Sequence, residues 1–505
     1  SNVATNSLVV DGGNIDAGDG IDAALIEGGS IDAAYVLGST QNNAAGVTAT
    51  TTQSRVEVVM STDAGSGGGV LDSTLSLSDN TSSATALANT ATNAVTIGAN
   101  AANVDATTAL ANSQDNTGAV LATGGSAVGV DVTVTAGDEP VGINGSSVML
   151  SGNSSASNAV GNQSTNTLTS MGANIRSGDT ASASVNSETF DALTADAGNL
   201  LVNNQANSGS ITSTNTANVV GISSDTAEGT TLVGSAVSGS TLGVMDNVTE
   251  ARASANLALN SSISIGGAGT ASLDSTAMVG NVQFNDVTGA VTASASTTTT
   301  IGLIAGGDAT ALDAGTAMVT GNTTLALARG NVAENNLVAD GAHVSSGASP
   351  ASLNSNAFPD TGSLTASFGV FNEQLQQAPI NAESIGASYR VNVTAGPRTD
   401  TALGLALNAA SATVSGNSIN ATGFGNVASN SVTLSSLSTV ANDASAAVYN
   451  GQMNQGAVTS SVSGATIGTY SIGGIVSASV GVSNNSINAT SVGNFATSTV
   501  TRTDR

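Results

Sequence analysis

Two nineteen-residue stretches, Ser415–Thr433 (SGNSINATGFGNVASNSVT) and Ser483–Thr501 (SNNSINATSVGNFATSTVT), agree at twelve positions without a gap. The same frame fits Ser78–Thr96, Ser151–Thr169 and Thr320–Val338, and more loosely Met245–Ile263. In all six copies the third position is Asn (Asn80, Asn153, Asn247, Asn322, Asn417, Asn485). So is the twelfth (Asn89, Asn162, Asn256, Asn331, Asn426, Asn494). A unit this short cannot bury its apolar face alone, so the copies must bury one another by stacking.

A second series alternates strictly with the first. It carries Gln41, Gln114, Gln205, Gln283, Gln374 and Gln452, each followed two residues later by Asn, except that Gln376 stands in the fifth unit. The twelve units average about 42 residues. A longer period lies above them, since Gln114, Gln283 and Gln452 are spaced by 169 residues. The chain therefore divides into three super-repeats, 1–170, 171–339 and 340–505, forming one continuous solenoid. The joins correspond: Gly12-Gly13-Asn14-Ile15, Gly172-Ala173-Asn174-Ile175 and Gly341-Ala342-His343-Val344.

Within the Asn units the apolar period is two, which indicates strands. The alternation slips at Gly416 and again at Gly425, as it would at a corner or bulge. The expected fold is all-β: stacked, cross-β-like solenoid layers of short strands joined by tight Gly or Asn corners. Small inward Ala residues let facing sheets approach closely. An Asn or Gln repeated at one inward place in successive layers forms an amide ladder at the strand spacing of about 4.8 Å, each amide both donating and accepting. The same Asn residues could instead serve only to supply turn conformations.

Composition narrows the function classes. The net charge is −27, there is no Cys and no Trp, and all eight basic residues are Arg. Nucleic-acid binding needs clustered basic residues, which are missing. No apolar run is long enough for a membrane helix. Ser1 reads as a processed start. Without Cys or Lys, and with His343 alone, the sequence lacks the residues for hydrolase triads, Schiff-base chemistry and zinc catalysis. His343 aligns with Asn14 and Asn174 and reads as a substituted repeat position. No enzymatic function and no cofactor are expected. The run Asp11-Gly-Gly-Asn-Ile-Asp16-Ala-Gly-Asp19-Gly-Ile-Asp22 resembles a degenerate calcium-binding nonapeptide and would act only locally. Residues 346–400 hold Pro350, Pro359, Pro379 and Pro397 with Phe358, Phe368, Phe371 and Tyr389. They are expected to form an irregular insertion leaving the stack.

The Gln-x-Asn and Asn-x-Ala-x-Asn rhythm in Gly/Ser/Ala-rich units resembles the secreted fibre subunits of curli and Fap systems and repeat-rich holdfast-anchor proteins. That resemblance implies export through dedicated outer-membrane machinery, folding outside the cell, and polymerisation for adhesion or biofilm. The repeat argues the same way. Its last copy is well formed and carries no capping sequence, so it offers a template for the first layer of another copy. The expected function is a structural subunit of an extracellular homopolymer. The alternatives are a monomeric or tethered β-helical adhesin stalk and, behind it, an ice- or polysaccharide-binding solenoid.

Overall fold

In the computed structural model of the protein, the described residues are all of the chain except 17–19, 25–28, 63–68, 99–100, 136–140, 178–179, 188–189, 227–233, 308, 347–349, 357–361, 397–403, 438–442 and 505. Among them every regular element is a strand. The chain winds as a solenoid whose corresponding strands stack in parallel, in register, along the axis. Each turn contains one Asn unit and one Gln unit, so a layer is two units. Gln41 lies under Gln114, which lies under Gln205, Gln283, Gln374 and Gln452. Three of the parallel sheets contain one strand from each of six layers, and a fourth has eight strands because its last two layers each contribute two. The sheet built from the Asn units contains seven strands, because Ser486–Asp504 lies above Ser418–Ser436.

The super-repeat has a physical cause. Successive Gln residues are separated by 73, 91, 78, 91 and 78 residues. The layers that open the three super-repeats are longer because each carries a β-hairpin: Ile21–Ala24 with Ser30–Ala33, Ala181–Ser187 with Phe190–Ala197, and Ala351–Ser355 with Gly362–Ala366. The hairpins pair edge to edge in one antiparallel six-stranded sheet on the outside of the Gln-unit sheet. Two strands are as tall as two layers, roughly 10 Å. One hairpin every second layer therefore fills the height without gaps, and the axial repeat becomes two layers.

Segment 346–400 is more regular than expected. Among its described residues only the paired strands Ala351–Ser355 and Gly362–Ala366 leave the winding, as their two predecessors do. Phe368–Gln376, Ile380–Ile385 and Ser388–Thr394 lie in the stack, and Phe368, Phe371 and Tyr389 are fully buried. The aromatics mark a wide place in the core. Phe358, Pro359 and Pro397 lie outside the described residues.

The Asn-unit strands are longer than expected. Ser418–Ser436 runs as one strand through the slip at Gly425, where two consecutive residues, Gly425 and Asn426, are buried. The strand bends there and exchanges its inward face. A Cβ at Gly425 would meet the Gly493 carbonyl and stand 2.6 Å from Asn454 Oδ1. The earlier slip is a true corner. Asp79, Gly152, Asp246, Gly321, Gly416 and Asn484 all have positive φ, and Gly, Asp and Asn tolerate that left-handed conformation best.

The core is correspondingly thin between the first half of the Asn strands and the facing sheet. Ala86, Ala159, Ala253 and Ala328 there meet Ala122, Ala293 and Ala382 in a nearly all-Ala cluster. Wider lobes of Val, Leu and Ile flank it on both sides.

Candidate functional site

The chemistry this chain repeats most is the side-chain amide, and the fold stacks those amides. In the third column Nδ2 of Asn80 donates to Oδ1 of Asn153 (2.8 Å), and the series continues through Asn247, Asn322, Asn417 and Asn485 at 2.9–3.0 Å. Each Oδ1 also accepts the backbone N–H of the Asn one layer below. These Asn residues sit one residue after the left-handed corner and stitch it to the next corner. The turn itself is supplied by the preceding column.

The twelfth column holds seven residues, because Asn2 begins it. Asn2, Asn89, Asn162, Asn256, Asn331, Asn426 and Asn494 follow one another at 2.8–2.9 Å. The second Nδ2 hydrogen of each crosses the core to the Gln-unit strand, as from Asn162 to the Ala206 carbonyl (2.6 Å) and from Asn256 to that of Phe284 (2.8 Å). The Gln column answers it. Gln114, Gln205, Gln283, Gln374 and Gln452 each donate Nε2 to Oε1 of the Gln below at 2.6–2.7 Å. Each also donates to a carbonyl of the Asn-unit strand, such as Val332 from Gln283 (2.8 Å). The two stacks are thus cross-linked at every layer. Asn donors point toward later layers and Gln donors toward earlier ones, so neighbouring amide dipoles run in opposite directions.

Further ladders flank these. Asn112, Asn203, Asn281, Asn372 and Asn450 form one at 2.8 Å. Asn43, Asn116, Asn207 and Asn285 form another at 2.7–2.8 Å. Asn14, Asn103 and Asn174 form a short exposed one. The Asn112 column had a signal that sequence reading passed over: an Asn two residues before Gln in five of the six Gln units. The Asn2 link had only its spacing from Asn6 to recommend it, repeated in Asn89 and Asn93.

Other candidates stay apart from this system. His343 pairs in register with Ser272, in the column of Asn14, Asn103 and Asn174. Asp11, Asp16 and Asp22 are exposed, and Asp19 lies outside the described residues. Among the described residues no three acidic or His side chains converge as metal ligands. Among the described residues no helix is long and apolar enough to cross a membrane. Two buried acidic groups have displaced ionisation. Burial pushes the Glu373 carboxyl up to about 7, against a Ser355 hydrogen bond that lowers it. Burial also raises the Tyr389 phenol, which shares a 2.7 Å hydrogen bond with the Thr324 hydroxyl.

These features define a β-solenoid with two units per layer, an antiparallel hairpin sheet on one side and cross-linked amide stacks through its core. No family model, curated protein or solved structure matches the chain.

Proposed function

We propose that the protein is the structural subunit of an extracellular fibre built by stacking copies head to tail, with adhesion or matrix formation as its use. The observation that carries this reading is the state of the outermost layers. Val148, Leu242 and Ala317, and Leu150, Val244, Val319 and Val414, are fully buried in the inner layers. Their counterparts at the C-terminal face, Val480 and Val482, are 44 % and 51 % exposed. The same face carries Ile487, Phe495 and Val500, all exposed. An apolar layer left open with its strand edges unpaired is a template for another β layer.

The amide stacks favour a directional junction. The C-terminal face offers Asn Nδ2 donors and Gln452 Oε1 as acceptor. The N-terminal face offers Asn2 Oδ1 and the Gln41 amide nitrogen. Head-to-tail contact is complementary and head-to-head contact is not. A heterologous contact of this sort does not close, so it propagates as a filament. Negative-stain microscopy of the purified chain tests the reading. Unbranched fibres of indefinite length are expected. Discrete rods at high protein concentration would overturn it and favour the tethered stalk.

A further inference from the structure

Resting on the fibre reading, we infer that the strand Ser486–Asp504 of one copy serves as the first-layer strand of the next copy, displacing that copy's own Asn2–Val10, so that the fibre repeats every six layers.

Two columns on the outer face first indicate where copies meet. One contains Leu71, Asn144, Ser238, Asp313, Asn408 and Val476 in register. The other contains Val59, Asp131, Ser223, Gly302, Asn392 and Tyr470. In both, the four inner layers carry polar residues or Gly, and only the first and last layers are apolar. Leu71, Val476, Val59 and Tyr470 are 45–65 % exposed. Stacking the first layer of one copy directly on the sixth layer of another joins Val476 to Leu71 and Tyr470 to Val59, covering all four.

The hairpins impose the same register independently. Their sheet ends at Gly362–Ala366 on one side and at Ile21–Ala24 on the other. A six-layer junction places those strands next to each other and continues the antiparallel alternation. A seven-layer junction leaves one empty strand height, roughly 5 Å, in that sheet and in each of the six-stranded parallel sheets.

Six-layer stacking creates one double occupancy. Asn494–Arg502 and Asn2–Val10 are equivalent, residue by residue, from the column of Asn89 to that of Ile97. At the junction they claim the same height. Asn2–Val10 covers only the second half of Thr81–Ile97, from Asn89 onward. Ser486–Asp504 covers its whole length, and Asn485 falls directly beneath Asn80 in the third amide column. The longer strand can pair along all seventeen residues of Thr81–Ile97 where the shorter pairs nine, so the lent strand wins the place. Asn494 then donates to the Asn42 carbonyl of the next copy, the bond that Asn2 makes at 2.7 Å within one chain.

Engineered cysteines in this Cys-free chain test the register. Thr85 and Thr490 are exposed, in one column and five layers apart within a molecule. That separation is roughly 24 Å, too far for an intramolecular disulfide. T85C/T490C is expected to oxidise into a ladder of covalent oligomers, while T499C/S7C stays monomeric on a denaturing gel. The axial rise per subunit by cryo-microscopy is expected at about 29 Å, six times the strand spacing. Fibres with a rise near 34 Å and cross-linking only through T499C/S7C would leave the fibre standing and overturn the lent strand. Absence of fibres in the unmodified chain would overturn the fibre reading and this inference with it.

Discussion

Replacing Asn256 by Leu isolates what an amide rung contributes. Asn256 is fully buried and lies in the middle of its column. It accepts from Asn162 Nδ2 at 2.8 Å and donates to Asn331 Oδ1 and to the Phe284 carbonyl, both at 2.8 Å. Leu is of similar size and leaves three polar groups short of a partner, each costing ~1–3 kcal/mol when buried. The added apolar burial returns ~1–2 kcal/mol. The expected net loss is about 1–8 kcal/mol, centred near 4. Thr298→Leu, on an exposed site of a neighbouring strand, is the control and should stay within about 0.5 kcal/mol of the parent. Chemical denaturation followed by circular dichroism reads both, and the drop in midpoint should come with a lower slope if the layers on either side of the broken rung unfold separately. A loss for N256L no larger than for T298L would refute the ladder as a source of stability and return these Asn residues to a purely conformational role.

Two further tests address the hairpin sheet. Burial of Glu373 favours its protonated form in the folded state. Its contribution is therefore most favourable below the ordinary carboxylate range and is lost as pH rises through about 7. Thermal midpoints should fall across that interval in the parent and stay flatter in E373Q; equal slopes would refute the assignment. In the second test, deleting residues 171–339 removes one two-layer super-repeat and should leave a folded, shorter solenoid by circular dichroism and small-angle scattering. Deleting 80–152 removes one layer and brings two hairpins into adjacent layers, where four strands must share the height of two. That variant should aggregate or lose the hairpins, and equal folding of both deletions would refute the height-matching argument.

The stacked fold was legible because it repeats identities at fixed offsets. Asn80, Asn89 and their equivalents register one layer on another, and the Gln column fixes the second half of each turn. The phase slip at Gly425 was legible because strand alternation is local and a single shift exposes it. The number of units per layer was not legible. Nothing in a period of about 42 residues distinguishes one unit per turn from two, because either choice keeps the columns in register. The hairpins were also hidden. Their sequences do not resemble each other, since a sheet on the outside is held by edge pairing and by packing on the Gln-unit sheet, which any alternation of small apolar residues satisfies. Ala181, Ala183 and Val185 provide that face in one hairpin, and Ile31 and Ala33 in another. The aromatics near Phe368 misled for a related reason. In a core otherwise mostly aliphatic they look foreign, yet they are buried in the stack, Phe371 beneath the third hairpin, where it stacks on Tyr449 with centroids 4.6 Å apart.

The arrangement also explains why a chain with so few large apolar residues can stack at all. A conventional core gains stability from area, and Ala offers little of it. Here the apolar deficit is met by polar groups whose partners lie one layer away. An amide column satisfies each member through the next, so its cost of burial falls only on the two ends. The Gln column runs against the Asn columns beside it and so offsets part of their summed dipole along the axis. The same logic opens the two end layers: the outermost Asn and Gln rungs have a stacking neighbour on one side only, at the N-terminal face as at the C-terminal one. Stability in the middle and reactivity at the ends thus come from one device. The number of layers then sets how much stable stack each pair of open ends must carry, and a lent strand is the way such a stack can join its neighbour without leaving a rung unpaired.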